Sequence, residues 1–179
     1  MKWLKERLPS WPEIFPVYSV IVFWAYSWYM LMFMFKLPSW MLEVTFGEIF
    51  AYFSYGVLLV FLDTIQLLAI LVIAAFILPP IWLKKDFPAS GGALAGLLFV
   101  WIVFTQFSLR TLFGLPSFQQ LSFLLIIILS MIVTVLVVRR LPFFRQIILW
   151  FISSASIFVY LYGFLTVVSF LVVLIRNLS

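Results

Sequence analysis

The sequence predicts an all-α integral membrane protein, a bundle of five transmembrane helices, and three observations carry that prediction. Hydrophobic residues make up 66% of the 179 and charged residues 9%, whereas a soluble domain carries roughly a quarter charged residues. Five apolar runs approach or exceed the length of about 20 residues that crosses about 30 Å of hydrocarbon. The charged residues are sorted into the segments between those runs, and Asp63 alone lies inside one. The chain is read as a single polytopic domain over 1–179, because no stretch remains that could fold as a second, soluble unit.

The first span is expected at about 16–35. Ser10 and Glu13 precede it in the capping-box spacing, in which a Ser or Thr at the helix start and a Glu or Gln three residues on satisfy each other's free backbone donors. The basic stretch before it leads into the apolar run without a small-residue cleavage site, so it is not expected to be a cleaved signal peptide. Span 2, at about 50–78, is preceded by Thr45 and Glu48 in the same spacing. Span 3, at about 92–109, begins on Gly92-Ala-Leu-Ala-Gly96, a GxxxG pattern. Span 4, at about 121–138, follows Ser117 and Gln120, the third capping box. Span 5, at about 147–175, is long and has no turn signal within it, which argues for one segment and against two short ones. All nine prolines fall at or outside the ends of these spans, as expected of a residue that breaks helix interiors.

Lysine and arginine set the expected orientation. Lys2, Lys5, Arg7, Lys84, Lys85, Arg139, Arg140 and Arg145 lie on one side; Lys36, Arg110 and Arg176 lie on the other. This asymmetry places the N-terminus in the cytoplasm and the C-terminus outside, in what is expected to be the cytoplasmic membrane. Trp3, Trp11, Trp40, Trp82 and Trp150 sit near span ends, where an indole buries its ring and keeps its N–H wet. Leu-Pro-Ser-Trp occurs at 8–11 and 37–40 and nearly recurs at 115–118. It reads as an interfacial turn used three times, and it suggests a short element over 40–47 lying on the outer surface between spans 1 and 2.

One position asks for a functional account. An acidic residue near the bilayer midplane is costly unless protonated, partnered or facing water, and Asp63 is near the middle of span 2. Glu48, Tyr52, Gly56, Asp63 and Gln66 follow spacings of four, four, seven and three, so they share a helix face. That face is expected to turn into the bundle or a cavity, or against a partner chain, and not toward lipid. Glu48, Tyr52, Asp63 and Gln66 are the candidates for a ligand or proton site, and the competing reading is an Asp that fixes helix packing. At similar depth the other spans offer Ser130, Thr134 and Tyr160. Helix-packing candidates are Gly56, Gly92 and Gly96, together with Ser153, Ser156, Tyr160 and Gly163 along one face of span 5, since small residues let helices approach closely.

Composition excludes much chemistry. Without Cys or His there are no disulfides, thiolates or His-ligated haems, and most zinc and iron sites are ruled out. No metal or other cofactor is expected. Paired carboxylates for aspartyl or glycosidic chemistry, a base for a nucleophilic serine and a phosphate-binding glycine loop are all missing. The net charge of +5 is spread over short loops, so nucleic acid is not an expected partner. The layout of five spans, with N-terminus inside and C-terminus outside, resembles the membrane domain of lipoteichoic-acid-synthase-type enzymes. In those enzymes an extracellular catalytic domain follows the last span. The resemblance lies in topology and in no residue motif, and it implies a membrane subunit serving a separate outer domain. The leading expectation is a non-catalytic, multi-pass subunit or anchor of a larger complex, with the bilayer and other membrane subunits as partners. The runner-up is a small transporter or membrane-embedded substrate-binding component using Asp63. A third reading is a lipid- or quinone-binding subunit, with Trp24, Trp28 and Trp101, and Tyr26 and Tyr29 near the first two, lining a slot for the tail.

Overall fold

A computed structural model describes residues 8–78, 83, 86–113 and 117–178, with the side chains of 109–113, 117 and 118 outside the description. The described residues form five α-helices: α1 Trp11–Glu43, α2 Phe46–Ile77, α3 Phe87–Phe113, α4 Ser117–Arg140 and α5 Pro142–Leu178. All five are long and apolar enough to cross a membrane. The helices outrun the spans expected for them. At 1.5 Å per residue α1, with 33 residues, is about 50 Å long, more than the hydrocarbon alone requires. Pro16 and Pro38 therefore fall inside α1, outside the apolar middle that spacing had marked. The fifth span is one unbroken helix.

Two capping boxes are formed as their spacing predicts. The Glu13 carboxylate accepts from the Ser10 backbone N–H at 2.6 Å and from its hydroxyl at 2.7 Å. Glu48 accepts from the Thr45 N–H and hydroxyl, both at 2.8 Å. The Ser117 side chain of the third lies outside the described residues. The two described copies of the Leu-Pro-Ser-Trp motif, by contrast, are not the same turn, and 115 and 116 of the third lie outside the described residues. At 8–11 the motif starts α1, and at 37–40 it lies within the last turns of the same helix. Trp40–Gly47 is accordingly not an element of its own. Its first residues end α1, Val44 and Thr45 form the link, and α2 begins at Phe46. A proline preceded by a completed turn loses one hydrogen bond without stopping the helix, so Pro38 did not impose the expected break.

The helices run alternately up and down. Gly91 near the start of α3 packs on Val17 near the start of α1, while Tyr55 near the start of α2 donates to Asn177 at the end of α5, at 3.0 Å. α1 is central, packed against α2, α3 and α5, with α4 leaning chiefly on α3. The larger apolar cluster joins the start of α1 to the end of α2 and the start of α3, through Val17, Val20, Leu71, Ala75, Phe87 and Ala95, with Val135 and Ile152 from α4 and α5. The second cluster, toward the other end, is built on Val22, Tyr26, Val57 and Tyr162 and draws on α1, α2 and α5 alone. Aromatic contacts support the second: Tyr26 and Tyr162 stack at 4.7 Å, and Phe23 meets Phe158 edge-on at 5.0 Å.

The sequence of α3 explains why it leaves the core. Its first turns are small (Ala89, Ser90, Gly91, Gly92), and a Cβ at Gly92 would stand 2.9 Å from Ile152 of α5. Small residues let backbones approach, and here α3 is drawn tight against α1 and α5. Farther on the side chains are bulky: Phe99 stacks on Trp24 and Phe107 meets Trp28 of α1, while Trp101 and Phe104 turn to Phe123 of α4. α2 and α3 consequently barely meet, and a groove opens between them with α1 as its floor.

Candidate functional site

The groove has a volume of about 520 Å³ and is open along one side. Ala25, Trp28, Tyr29 and Met32 of α1 form its floor; Asp63, Thr64, Gln66 and Leu67 of α2 form one wall; Phe99, Ile102 and Gln106 of α3 form the other. The polar groups on its two walls are therefore a carboxylate, two carboxamides and a hydroxyl. Two of these groups are already engaged. Trp28 Nε1–H donates to Gln106 Oε1 at 3.1 Å, tying the floor to the α3 wall. Thr64 is buried, and its hydroxyl donates to the Phe61 carbonyl at 2.7 Å. Tyr29 is held in place from outside the groove, donating to the Phe53 carbonyl at 2.9 Å.

Asp63 is different. Among the described residues its carboxylate makes no hydrogen bond and no ion pair, and it is exposed on the groove wall, as is Gln66. Successive helical residues are turned about 100° apart, so burial of Thr64 against α1 swings Asp63 to the flank. The face that spacing groups together thus divides. Gly56 turns inward against the Tyr29 ring. Asp63 and Gln66 reach the groove, and Tyr52 is largely exposed with its ring 5.7 Å from that of Trp40. Glu48 serves the helix start. Of the stripe expected to face the bundle or a cavity, Gly56 packs inward, Asp63 and Gln66 line the groove, and Tyr52 and Glu48 are not among the groove residues.

The polar residues expected near Asp63 have other roles. Ser130 accepts from Trp101 Nε1–H at 3.0 Å and so pins α4 to α3, Thr134 donates to the Ser130 carbonyl at 2.8 Å, and Tyr160 is 74% exposed. Gln106 does line the groove. The signal for it was present, since a carboxamide within the apolar run of span 3 calls for a partner as Asp63 does. Arg110, one turn beyond Gln106, has its side chain outside the described residues.

The packing candidates also divide. Gly92 is a close contact as expected, while Gly96 stands in ordinary contact, with Trp24 Nε1 3.9 Å from where its Cβ would be. On α5 the row expected to form a seam faces mostly outward, with Ser156 half-buried and bonded to the Ile152 carbonyl. Ser153, Tyr160 and Gly163 are exposed, and nothing lies within 4 Å of a Cβ at Gly163. Ile152, Ala155, Tyr162 and Ser169 make the buried face instead. Of the three deep tryptophans, Trp28 lines the groove, Trp24 stacks on Phe99 at 5.4 Å, and Trp101 holds α4. Two bonds that spacing did not reveal fasten α5: Tyr26 Oη and Thr166 Oγ1 lie 2.6 Å apart, and Arg145 grips Asp86 with Nε–Oδ2 2.6 Å and Nη2–Oδ1 3.2 Å.

Fold and groove together define a multi-pass, five-helix bundle of membrane-protein build with one polar site opening sideways. Comparison with family models, with curated proteins and with solved structures finds no match.

Proposed function

We propose that this chain is a non-catalytic, multi-pass membrane subunit whose working part is the groove between α2 and α3, with Asp63 as its ligand or proton site. The observation that carries the reading is an uncompensated carboxylate at mid-helix on the wall of an open groove. A charged or hydrogen-bonding group in hydrocarbon is costly without a partner, and the described residues provide none, so the groove is suited to an occupant. Its volume lies within the range of small-molecule sites. Transport fits less well than binding, because many transporters bind substrate at unwound mid-membrane helices, and the five helices here are continuous through their middles. The oriented topology, with N-terminus in the cytoplasm and C-terminus outside, belongs to the same proposal.

Membership of a larger assembly draws support from a separate observation. Ser153 and Gly163 on α5 are exposed, and among the described residues nothing lies within 4 Å of a Cβ at Gly163, an arrangement suited to close approach of another helix. Native mass spectrometry of the chain in nanodiscs tests both parts. The wild type is expected to retain a small molecule or a partner chain, and Asp63→Leu is expected to lose it while changing stability by no more than about 0.5 kcal/mol, as for an exposed position without contacts. A wild-type chain that carries nothing more than Asp63→Leu does would overturn the binding role, and a strictly monomeric chain in mild detergent would overturn the assembly role.

A further inference from the structure

The chemistry of the groove narrows what it would hold, on the reading that it is a binding site. One wall carries an unpaired carboxylate, Asp63, and the described groove lining contains no cationic side chain. Nearby, the Gln106 oxygen already accepts from Trp28 and the Thr64 hydroxyl from within its own helix donates to Phe61. The strongest unmet demand in the groove is thus for positive charge. Gln66 adds a neutral carboxamide beside Asp63, and the remainder of the lining is largely apolar, with three aromatic residues, Trp28, Tyr29 and Phe99, from two helices. Aromatic rings and a carboxylate are the combination that takes organic cations, because ring quadrupole and full charge both attract the cation and the rings also shelter its apolar body. The open side faces outward between α2 and α3, along helices apolar enough to lie in a bilayer. An occupant would enter sideways and would therefore itself be soluble in the membrane.

We infer that the groove binds a lipophilic monovalent organic cation, with its charge against Asp63 and its body among Trp28, Tyr29 and Phe99. An inorganic cation would leave the aromatic lining unused and would find one carboxylate where hard cations take six or more oxygens. A neutral lipid would use the rings and leave the carboxylate unmet.

Two probes of the same shape and opposite charge make the test: tetraphenylphosphonium and tetraphenylborate, titrated onto the full chain in nanodiscs with empty nanodiscs as background. The wild type is expected to bind tetraphenylphosphonium saturably and to show no binding of tetraphenylborate above background. Asp63→Asn is expected to weaken the cation by about tenfold or more, the scale of losing one partner of a shielded charge pair, and Asp63→Glu to recover most of it. Thermal unfolding in the same nanodiscs confirms that each variant is folded. Equal binding of both probes by the wild type, or of the cation by folded wild type and Asp63→Asn, would overturn the inference; the first comparison needs no variant at all. If the cation fails while a neutral lipid, a quinone or a partner chain is retained in an Asp63-dependent way, the cation is wrong and the binding role stands. If nothing bound depends on Asp63, both fall.

Discussion

At the scale of single residues, helical register decides the role of each polar group. Thr64 and Asp63 are neighbours in sequence, yet one is sealed against α1 with its hydroxyl turned back on Phe61 and the other is left on the groove wall. Back-bonding to the preceding turn is open to a hydroxyl and not to an ionised carboxylate, which only accepts. Buried Ser19 and Ser54 use the same device, donating to Pro16 at 2.8 Å and Phe50 at 2.9 Å. The tightest single contact is at Gly56, where any Cβ would collide with the Tyr29 ring. That ring cannot swing away freely, because its hydroxyl is bonded to the Phe53 carbonyl. Gly56→Ala is therefore expected to lower stability by about 1–3 kcal/mol, the usual cost of overpacking, and to lower the unfolding temperature in detergent. An unchanged melting curve would mean that α1 and α2 are not this close.

At the scale of helices, apolar faces alone do not choose partners, since a lipid tail is as apolar as a leucine. Pairing is instead fixed by small residues and by polar bonds that cross between helices. α5 shows both effects. Its contact with α1 includes the half-buried pair Tyr26–Thr166 at 2.6 Å, and its contact with α3 includes Gly92. A double-mutant cycle of Tyr26→Phe and Thr166→Val is expected to give a coupling of about 0.6 kcal/mol, the average for such bonds within membranes. Additive effects of the two changes would show that the hydroxyls do not act together. The ends of α1 and α2 follow a different logic, in which a Glu three residues inside answers the free donors of Ser10 and Thr45, and that device was fully readable from spacing.

At the scale of the whole molecule, the bundle is tight at one end and parted at the other. The cluster at the start of α1 draws on all five helices, whereas the cluster toward the other end draws on three. The groove is the consequence. It lies where α3 passes from glycine and alanine to phenylalanine and tryptophan. The ion pair of Asp86 with Arg145 closes the tight end, on the side to which the distribution of Lys and Arg assigns the cytoplasm. Reporter fusions test that assignment. A tag after Ser179 is expected to be reached from outside the cell, and a tag before Met1 only after permeabilisation. Both ends reached from the same side would overturn the odd number of spans.

The sequence by itself determined the membrane-type build, the number of long apolar helices and two of their capped starts, and it singled out position 63 as the one charge within a span. These follow from composition, run length and residue spacing, which are local and additive along the chain. What only the tertiary structure decided is what each helix faces. Asp63 was expected in the bundle or a cavity, and the fold makes that cavity a groove between α2 and α3; Ser153 and Gly163 were expected in a seam and lie outside; and Gln106 joins the groove from a helix remote in sequence. In a chain this apolar nearly every helical face is suited to lipid, so hydrophobic periodicity cannot tell an inner face from an outer one. The choice passes to close packing and to hydrogen bonds between side chains far apart in sequence, and neither can be read from any single segment.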